Sequence, residues 1–316
     1  MGRLSVNSMR GYLARSISSL NQNKLRGLIA EIDFRKRLGE LGFADRVSVG
    51  GWIARRVGAG EFAHQTAVFF PETLEPGIDY ATGRVLPQPD IGLHTICSTF
   101  HQTGIAAYFV AGVVARDNRP DSIQWHAIQL GLPIEQQYQP FPNCVQAQFA
   151  LRPRNYNFLR YHAGTKGIPA AAVPEEFAKE NLRVTFQSHF LSEVSDVDGI
   201  FWGQQFTYPL EIKEKTPAPS SRLGDFFGLD VGPFVKLAHY VARRGNLHSL
   251  FVVREISDPE TRDLVEWWFI TFDQLARYAS WTPMAGGPNM GGGRSSVVCI
   301  PKAEFRELNA ANLAAL

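Results

Sequence analysis

Cysteine is scarce in this chain: Cys97, Cys144 and Cys299 are the only three among 316 residues, odd in number and far apart. A disulfide framework or a zinc knuckle needs paired or closely spaced thiols, so neither is indicated, and the three read as reduced structural residues. Long apolar runs are missing as well. None approaches the ~18–20 residues that a bilayer requires, and the opening stretch MGRLSVNSMRGYLARSISSL has no apolar core leading to a cleavage site. The expectation is a cytoplasmic protein with no membrane partner. Neither sign of charge prevails: 32 Lys and Arg face 30 Asp and Glu, for a net charge of +2 and a pI near 8.4. That balance admits nucleic acid as a partner without requiring it.

Other signatures are also incomplete. The glycine-rich run Ala285 to Gly293 is followed by Arg294-Ser295-Ser296 and not by Gly-Lys-Ser/Thr, so it is not a Walker loop. Its plain meaning is flexibility, with a loop closing on DNA as the functional alternative and Arg294 as its cation. His94, Cys97 and His101 lack zinc-finger spacing and read as packed polar residues. Pro87-Gln88-Pro89-Asp90 has no Glu-x-Lys at hairpin distance.

What is present is concentrated between Ser195 and Lys215, SDVDGIFWGQQFTYPLEIKEK. Phe206 to Lys215 reads as a strand, and alternation puts Glu211 and Lys213 on one face, roughly 6 to 7 Å apart, with Leu210 and Ile212 on the other. Val194 to Trp202 reads as the neighbouring strand. Gly203-Gln204-Gln205 is short enough to turn the chain back antiparallel, which brings Asp198, or Asp196 in its place, beside Glu211. An Asp with Glu-x-Lys on the next strand is what a divalent metal and a water need against a phosphodiester. Two hard carboxylates suit Mg²⁺, with Mn²⁺ as a substitute, and the lysine orients or helps deprotonate a water. The alternative is a solvated strand face.

Asp198-Gly199-Ile200 followed by Glu211-Ile212-Lys213 resembles the core of the PD-(D/E)xK nuclease superfamily, with Val197 where a proline usually precedes the aspartate. The helix KLRGLIAEIDFRKRLGELG, whose Leu25, Leu28, Ile29 and Ile32 fall at helical spacing, resembles the superfamily's Lys-x-x-Gly-x-x-x-Glu helix through Lys24, Gly27 and Glu31. The resemblance implies catalytic roles for Asp198, Glu211, Lys213 and Glu31, with Asp198, Glu211 and Glu31 as metal ligands. It also draws attention to Lys236 and Tyr240, four apart on a second helix where some branches carry Gln-x-x-x-Tyr, and makes Lys236 a candidate phosphate contact. The implied fold is α/β, a restriction-endonuclease-like mixed sheet flanked by helices, interrupted by a large β-rich insertion.

With 45% hydrophobic residues the chain has enough for one large or two modest domains. The expected division is 1–46 as the helical start of a nuclease core, 47–189 as the insertion, and 190–316 as the rest of the core. Two strands stand out in the insertion, Ile105 to Val114 and Ile123 to Leu130. It grips substrate, or it is structural or dimerising, and a homodimer is left open. Within it RPRNYNFLRYHAGTK interleaves Arg152, Arg154, Arg160 and Lys166 with rings, as a nucleic-acid surface does, or else turns its rings inward. The leading function is a Mg²⁺-dependent endonuclease on DNA. A catalytically silent DNA-binding or assembly module, and a nuclease of RNA, are the alternatives.

Overall fold

The computed structural model describes residues 3–16, 22–56, 66–114, 119–131, 137–154, 163–222, 224–243, 245–288 and 294–316. The chain is mixed α/β, and it divides into two compact units: Met1–Leu25 with Val49–Val197, and Arg26–Ser48 with Asp198–Leu316. Helix α1 (Val6–Ser16) buries Met9, Tyr12, Leu13 and Ser16 along one stripe. Helix α2 (Gln22–Glu40) carries a buried stripe of Ala30, Phe34 and Leu38. It stops where Phe43 N–H donates back to Leu38 O at 2.8 Å and Gly42 takes a φ of 83°, the left-handed turn that glycine adopts without steric cost.

In the first unit follow β1 (Gly51–Arg56), β2 (Thr66–Pro71), α3 (Ile91–Gln102), β3 (Ile105–Val114), β4 (Ile123–Gln129), β5 (Gln139–Pro140), α4 (Phe141–Val145), α5 (Val173–His189) and β6 (Ser192–Val197). They form a six-stranded sheet ordered β5-β4-β3-β2-β1-β6. Among these strands only β2 and β3 run parallel, as strands joined by a crossover helix must, and α3 is that crossover. Asp90 caps α3, accepting from Leu93 N–H at 2.7 Å.

Beside its six-stranded sheet this half carries α3 and the 17-residue α5, which pack on the sheet and which its Gly, Pro and Gln content does not announce. The pattern of α5 hides it. Glu176, Lys179, Glu180, Asn181 and Arg183 are all buried along with Phe177, Ala178, Leu182 and Phe186, so no polar stripe sets off an apolar one. Glu180 holds Lys24 Nζ at 3.2 Å and Arg183 Nη2 at 2.6 Å. Trp52 Nε1 donates to Lys179 O, and Trp125 Nε1 to Asn181, both at 2.8 Å. A buried charge is tolerated only when paired in this way.

The second unit continues with β7 (Ile200–Trp202), β8 (Thr207–Lys215), β9 (Ala218–Ser220), β10 (Gly224–Asp230), α6 (Val231–Val241), β11 (Leu250–Ile256), β12 (Leu264–Thr271), α7 (Phe272–Tyr278), β13 (Met284–Pro288), β14 (Arg294–Pro301), β15 (Arg306–Glu307) and α8 (Ala310–Ala314). Its main sheet is ordered β15-β12-β11-β8-β7, and a second sheet β13-β14-β10-β9. One face of the main sheet, Tyr208, Leu210, Ile212, Leu250, Val252 and Phe269, packs with Ala30, Phe34 and Leu38 of α2 and with Leu313 of α8. The other face, Phe251, Val253 and Ile270, packs with Leu237, Leu275, Phe227 and Ile300. Fully burying one such aromatic or aliphatic side chain contributes about 1.5–3 kcal/mol.

Several local readings change. The strand expected over 194–202 is broken at Asp198-Gly199: β6 pairs with β1, and only β7 pairs with β8. The loop read at 216–221 contains β9, and the glycine-rich run begins as β13. The short helix expected over 302–308 is a tight turn and β15, with α8 after it. Among the described residues no helix is long and apolar enough to cross a membrane.

Candidate active site

The centre starts from the alternation of β8. Leu210 and Ile212 point into the core shared with α2, so Glu211 and Lys213 take the opposite face. There their parallel partners on β11 are Phe251 and Val253, both in the core on the α6 side. Glu211 is therefore a carboxylate set in an apolar wall, 1% exposed.

Asp198 arrives from the edge. Strand β7 pairs with β8 only from Ile200↔Pro209 to Trp202↔Thr207, after which the two strands part. Leu210 N–H still finds Gly199 O at 2.9 Å. Two residues on, the strand's carbonyl is replaced by a side chain: Asp198 Oδ2 accepts from Ile212 N–H at 2.7 Å. A buried backbone donor needs such a partner. Gly199 lets the chain turn here, because a Cβ on it would lie 3.1 Å from Ser48 O and 3.4 Å from Leu210 Cδ1. Asp198 is consequently 3% exposed and fixed by the main chain.

Two ammonium groups close the cluster. Lys213 Nζ lies 2.6 Å from Glu211 Oε1 and 4.0 Å from Asp198 Oδ2, so both acids converge on one lysine. Lys236 Nζ, from α6, lies 2.5 Å from Glu211 Oε2. Each oxygen of Glu211 thus has its own cation, and two carboxylates are balanced by two lysines. With its partners removed, burying even one of these charges costs several kcal/mol. Lys213 is the more open of the two ammoniums, its side chain 32% exposed against 15% for Lys236.

The remaining candidates are placed as follows. Glu31 is buried on α2, 8% exposed. Among the described residues no three His, Cys, Asp or Glu side chains gather as ready-made metal ligands, so the donors brought together are the pair Asp198 and Glu211. Asp196 sits in β6 of the first unit, where its charge acts on Lys24. Lys236, read from sequence as a phosphate contact, is engaged with Glu211. Tyr240, four residues on, is buried. Arg152 is turned toward the end of α5: its Nε donates to Gln187 O at 2.6 Å and its Nη2 to Phe190 O at 3.4 Å. Its guanidinium thereby satisfies carbonyls that a helix C terminus leaves over. Arg154, Lys166 and Arg294 are exposed, and Arg160 lies outside the described residues.

One residue of this face is not singled out by the sequence. Lys215 continues the alternation of Glu211 and Lys213, and burial pushes its ammonium below the usual lysine range, with Asp230 acting the other way. The available signal is a third charged position of period two. A lysine at a strand end is normally solvated, so position 215 gives no sign of its burial.

No family model, curated protein or solved structure matches this chain.

The exposed cations Arg154 and Lys166 are testable apart from the centre. If this face meets duplex DNA, exchanging both for Ala is expected to flatten the slope of log affinity against log salt by up to about two units, since each lost phosphate contact removes roughly 0.9. Fluorescence anisotropy across a salt series reads this directly. An unchanged slope assigns both side chains to solvent alone.

Proposed function

We propose that this protein is a metal-dependent phosphodiesterase acting on DNA. The observation that carries this reading is the convergence of Asp198 and Glu211, both buried, on the half-exposed ammonium of Lys213 at the point where β7 and β8 part. Isolated Glu-x-Lys pairs on strands are common; what sets this one apart is a second buried acid, fixed by Ile212 N–H and 4.0 Å from the same lysine. The sequence α2, β7, β8, α6 and β11, with the first unit's elements between α2 and β7 and with β9 and β10 between β8 and α6, supports the resemblance to the PD-(D/E)xK nucleases and to a restriction-endonuclease-like fold.

The donor set fits a small hard cation. Asp198 and Glu211 offer only oxygen, and Mg²⁺ keeps most of its own waters, so two carboxylates suffice to seat it; Mn²⁺ has the same preference for oxygen. Bound there, the ion supplies positive charge to a phosphate and a more acidic water. The chain does the rest. Ile212 N–H orients Asp198. Lys236 neutralises one oxygen of Glu211 from inside the core. Lys213, the ammonium nearest solvent, positions the attacking water by donating a hydrogen bond to it and can give a proton from Nζ to the leaving oxygen, the water's own proton passing to solvent. The apolar wall of Phe251 and Val253 lowers the local dielectric, which strengthens these fields.

Incubating the protein with supercoiled plasmid, linear duplex, single-stranded DNA and RNA, each with Mg²⁺ and with a chelator, tests the reading. Cleavage of DNA that needs the metal is expected. Cleavage of RNA alone reassigns the substrate, and binding of DNA without cleavage under every condition makes the chain a silent binding module.

A further inference from the structure

The main sheets of the two units repeat one order, while the second sheet β13-β14-β10-β9 and α7 have no counterpart among the described residues of the first unit. In the first, the sheet runs β5-β4-β3-β2-β1-β6, with β2 and β3 parallel around α3 and every other pair antiparallel. In the second it runs β15-β12-β11-β8-β7, with β8 and β11 parallel around α6 and the rest antiparallel. A sixth position is present there too, where Val47 bridges Phe201 of β7 antiparallel, as β6 lies on β1. Both outermost strands, β5 and β15, are two residues long and lead to a five-residue helix. A long helix precedes each edge strand, α2 before Val47 and α5 before β6.

The correspondence holds residue by residue. From Ala30 to Gly51 the chain matches Ala178 to Gly199 without insertion or deletion: Phe34 falls on Leu182, Leu38 on Phe186 and Val49 on Val197, and Ala30, Phe34, Leu38, Ala178, Leu182, Phe186 and Val197 are all buried. Gly51 and Gly199 face equivalent side chains across their hairpins. A Cβ on Gly51 would lie 3.2 Å from Phe70 Cδ1, and one on Gly199 3.4 Å from Leu210 Cδ1. The helix and edge position of each repeat belong to the unit that holds the sheet of the other, the exchange expected of a domain-swapped pair joined in one chain.

This match fixes which residues of the first unit stand where the centre stands in the second. Gly50 takes the place of Asp198, Pro71 that of Glu211, Thr73 that of Lys213 and Lys179 that of Glu31. None of the four is a carboxylate. Glu72 is one register position away and is engaged by Arg84 and, at 3.1 Å, by Gly112 N–H. We propose that the chain is a fused pair of one α/β repeat with a single cutting centre, so that one chain opens one strand of duplex DNA at each encounter. This rests on the phosphodiesterase reading above, whereas the repeat itself rests on topology and on the matched core positions.

Counting metal sites on the full chain tests it without relying on activity. Mn²⁺ titration followed by electron paramagnetic resonance is expected to show one site per chain, lost in Glu211→Gln and in Asp198→Asn, the second variant guarding against misfolding of the first. In parallel, supercoiled plasmid should pass to open circle before any linear form appears. Two Mn²⁺ sites per chain, or linear DNA formed without an open-circle stage by a species whose mass is that of one chain, would overturn the single-centre proposal alone. No Mn²⁺ site and no cleavage would overturn it together with the phosphodiesterase reading.

Discussion

Lys213→Ala is expected to lose about 10²- to 10⁴-fold in cleavage rate, the usual contribution of a positioned proton-transfer group, while its affinity for DNA stays within about twofold. The two outcomes separate because affinity is spread over many phosphate contacts, whereas Lys213 is an ammonium shared by Asp198 and Glu211. Stability should fall only modestly. Glu211 keeps Lys236 on its other oxygen, and the vacated space opens toward solvent, where water can replace Nζ. Single-turnover rates with an oligonucleotide duplex and anisotropy with the same duplex read the two quantities. Cleavage that survives in this variant assigns the proton transfer elsewhere.

Glu180→Ala is expected to have the largest effect on folding. Glu180 is fully buried and holds Lys24 and Arg183, and removing one partner of a buried ion pair costs about 3–5 kcal/mol; here Arg183 stays buried but loses this carboxylate, while Lys24 keeps Glu176 at 3.6 Å. Denaturant unfolding reads that loss. Burial by itself raises the carboxyl's affinity for its proton, but Lys24 and Arg183 more than offset it, and Glu180 is held below the ordinary glutamate range. A lowered folded-state value contributes stability that is present above the unfolded value of ~4.3 and is lost as pH falls through the folded value. The wild type should therefore shed this contribution below about pH 4.3, and Glu180→Gln should show a flatter acid limb there. A variant with wild-type stability and an unchanged acid limb would mean that the ion network contributes nothing net.

The parts of the fold legible in the sequence are those where one pattern dominates. Leu25, Leu28, Ile29 and Ile32 at helical spacing mark α2 as a helix, although the face it buries is Ala30, Phe34 and Leu38 while Leu25, Ile29 and Ile32 are only half-buried; Ile105 to Val114 is apolar throughout, and the period of two in β8 by itself puts Glu211 and Lys213 on one face. Helix α5 is not legible because Glu176, Lys179, Glu180 and Arg183 are buried by pairing rather than by hydrophobicity. Lys236 reads as a surface cation, and only the packing of α6 on β8 shows that it faces Glu211. The break at Asp198-Gly199 is hidden by β-forming residues on both sides. The repeat is hidden most deeply of all: it survives in topology and in the sizes of core residues, while the residues that carry chemistry differ at all four corresponding positions.

The measurement that bears most directly on the centre is a crystal of the full chain soaked in Mn²⁺ and measured at the manganese absorption edge. An anomalous peak is expected between Asp198 and Glu211, with oxygens of both within about 2.0–2.3 Å, the range bracketed by Mg²⁺ and the larger Ca²⁺, and with Lys213 Nζ turned to its open side. A fully soaked crystal with no peak there, in which Glu211 still holds Lys213 and Lys236 as it does now, would contradict a metal-dependent centre at this site.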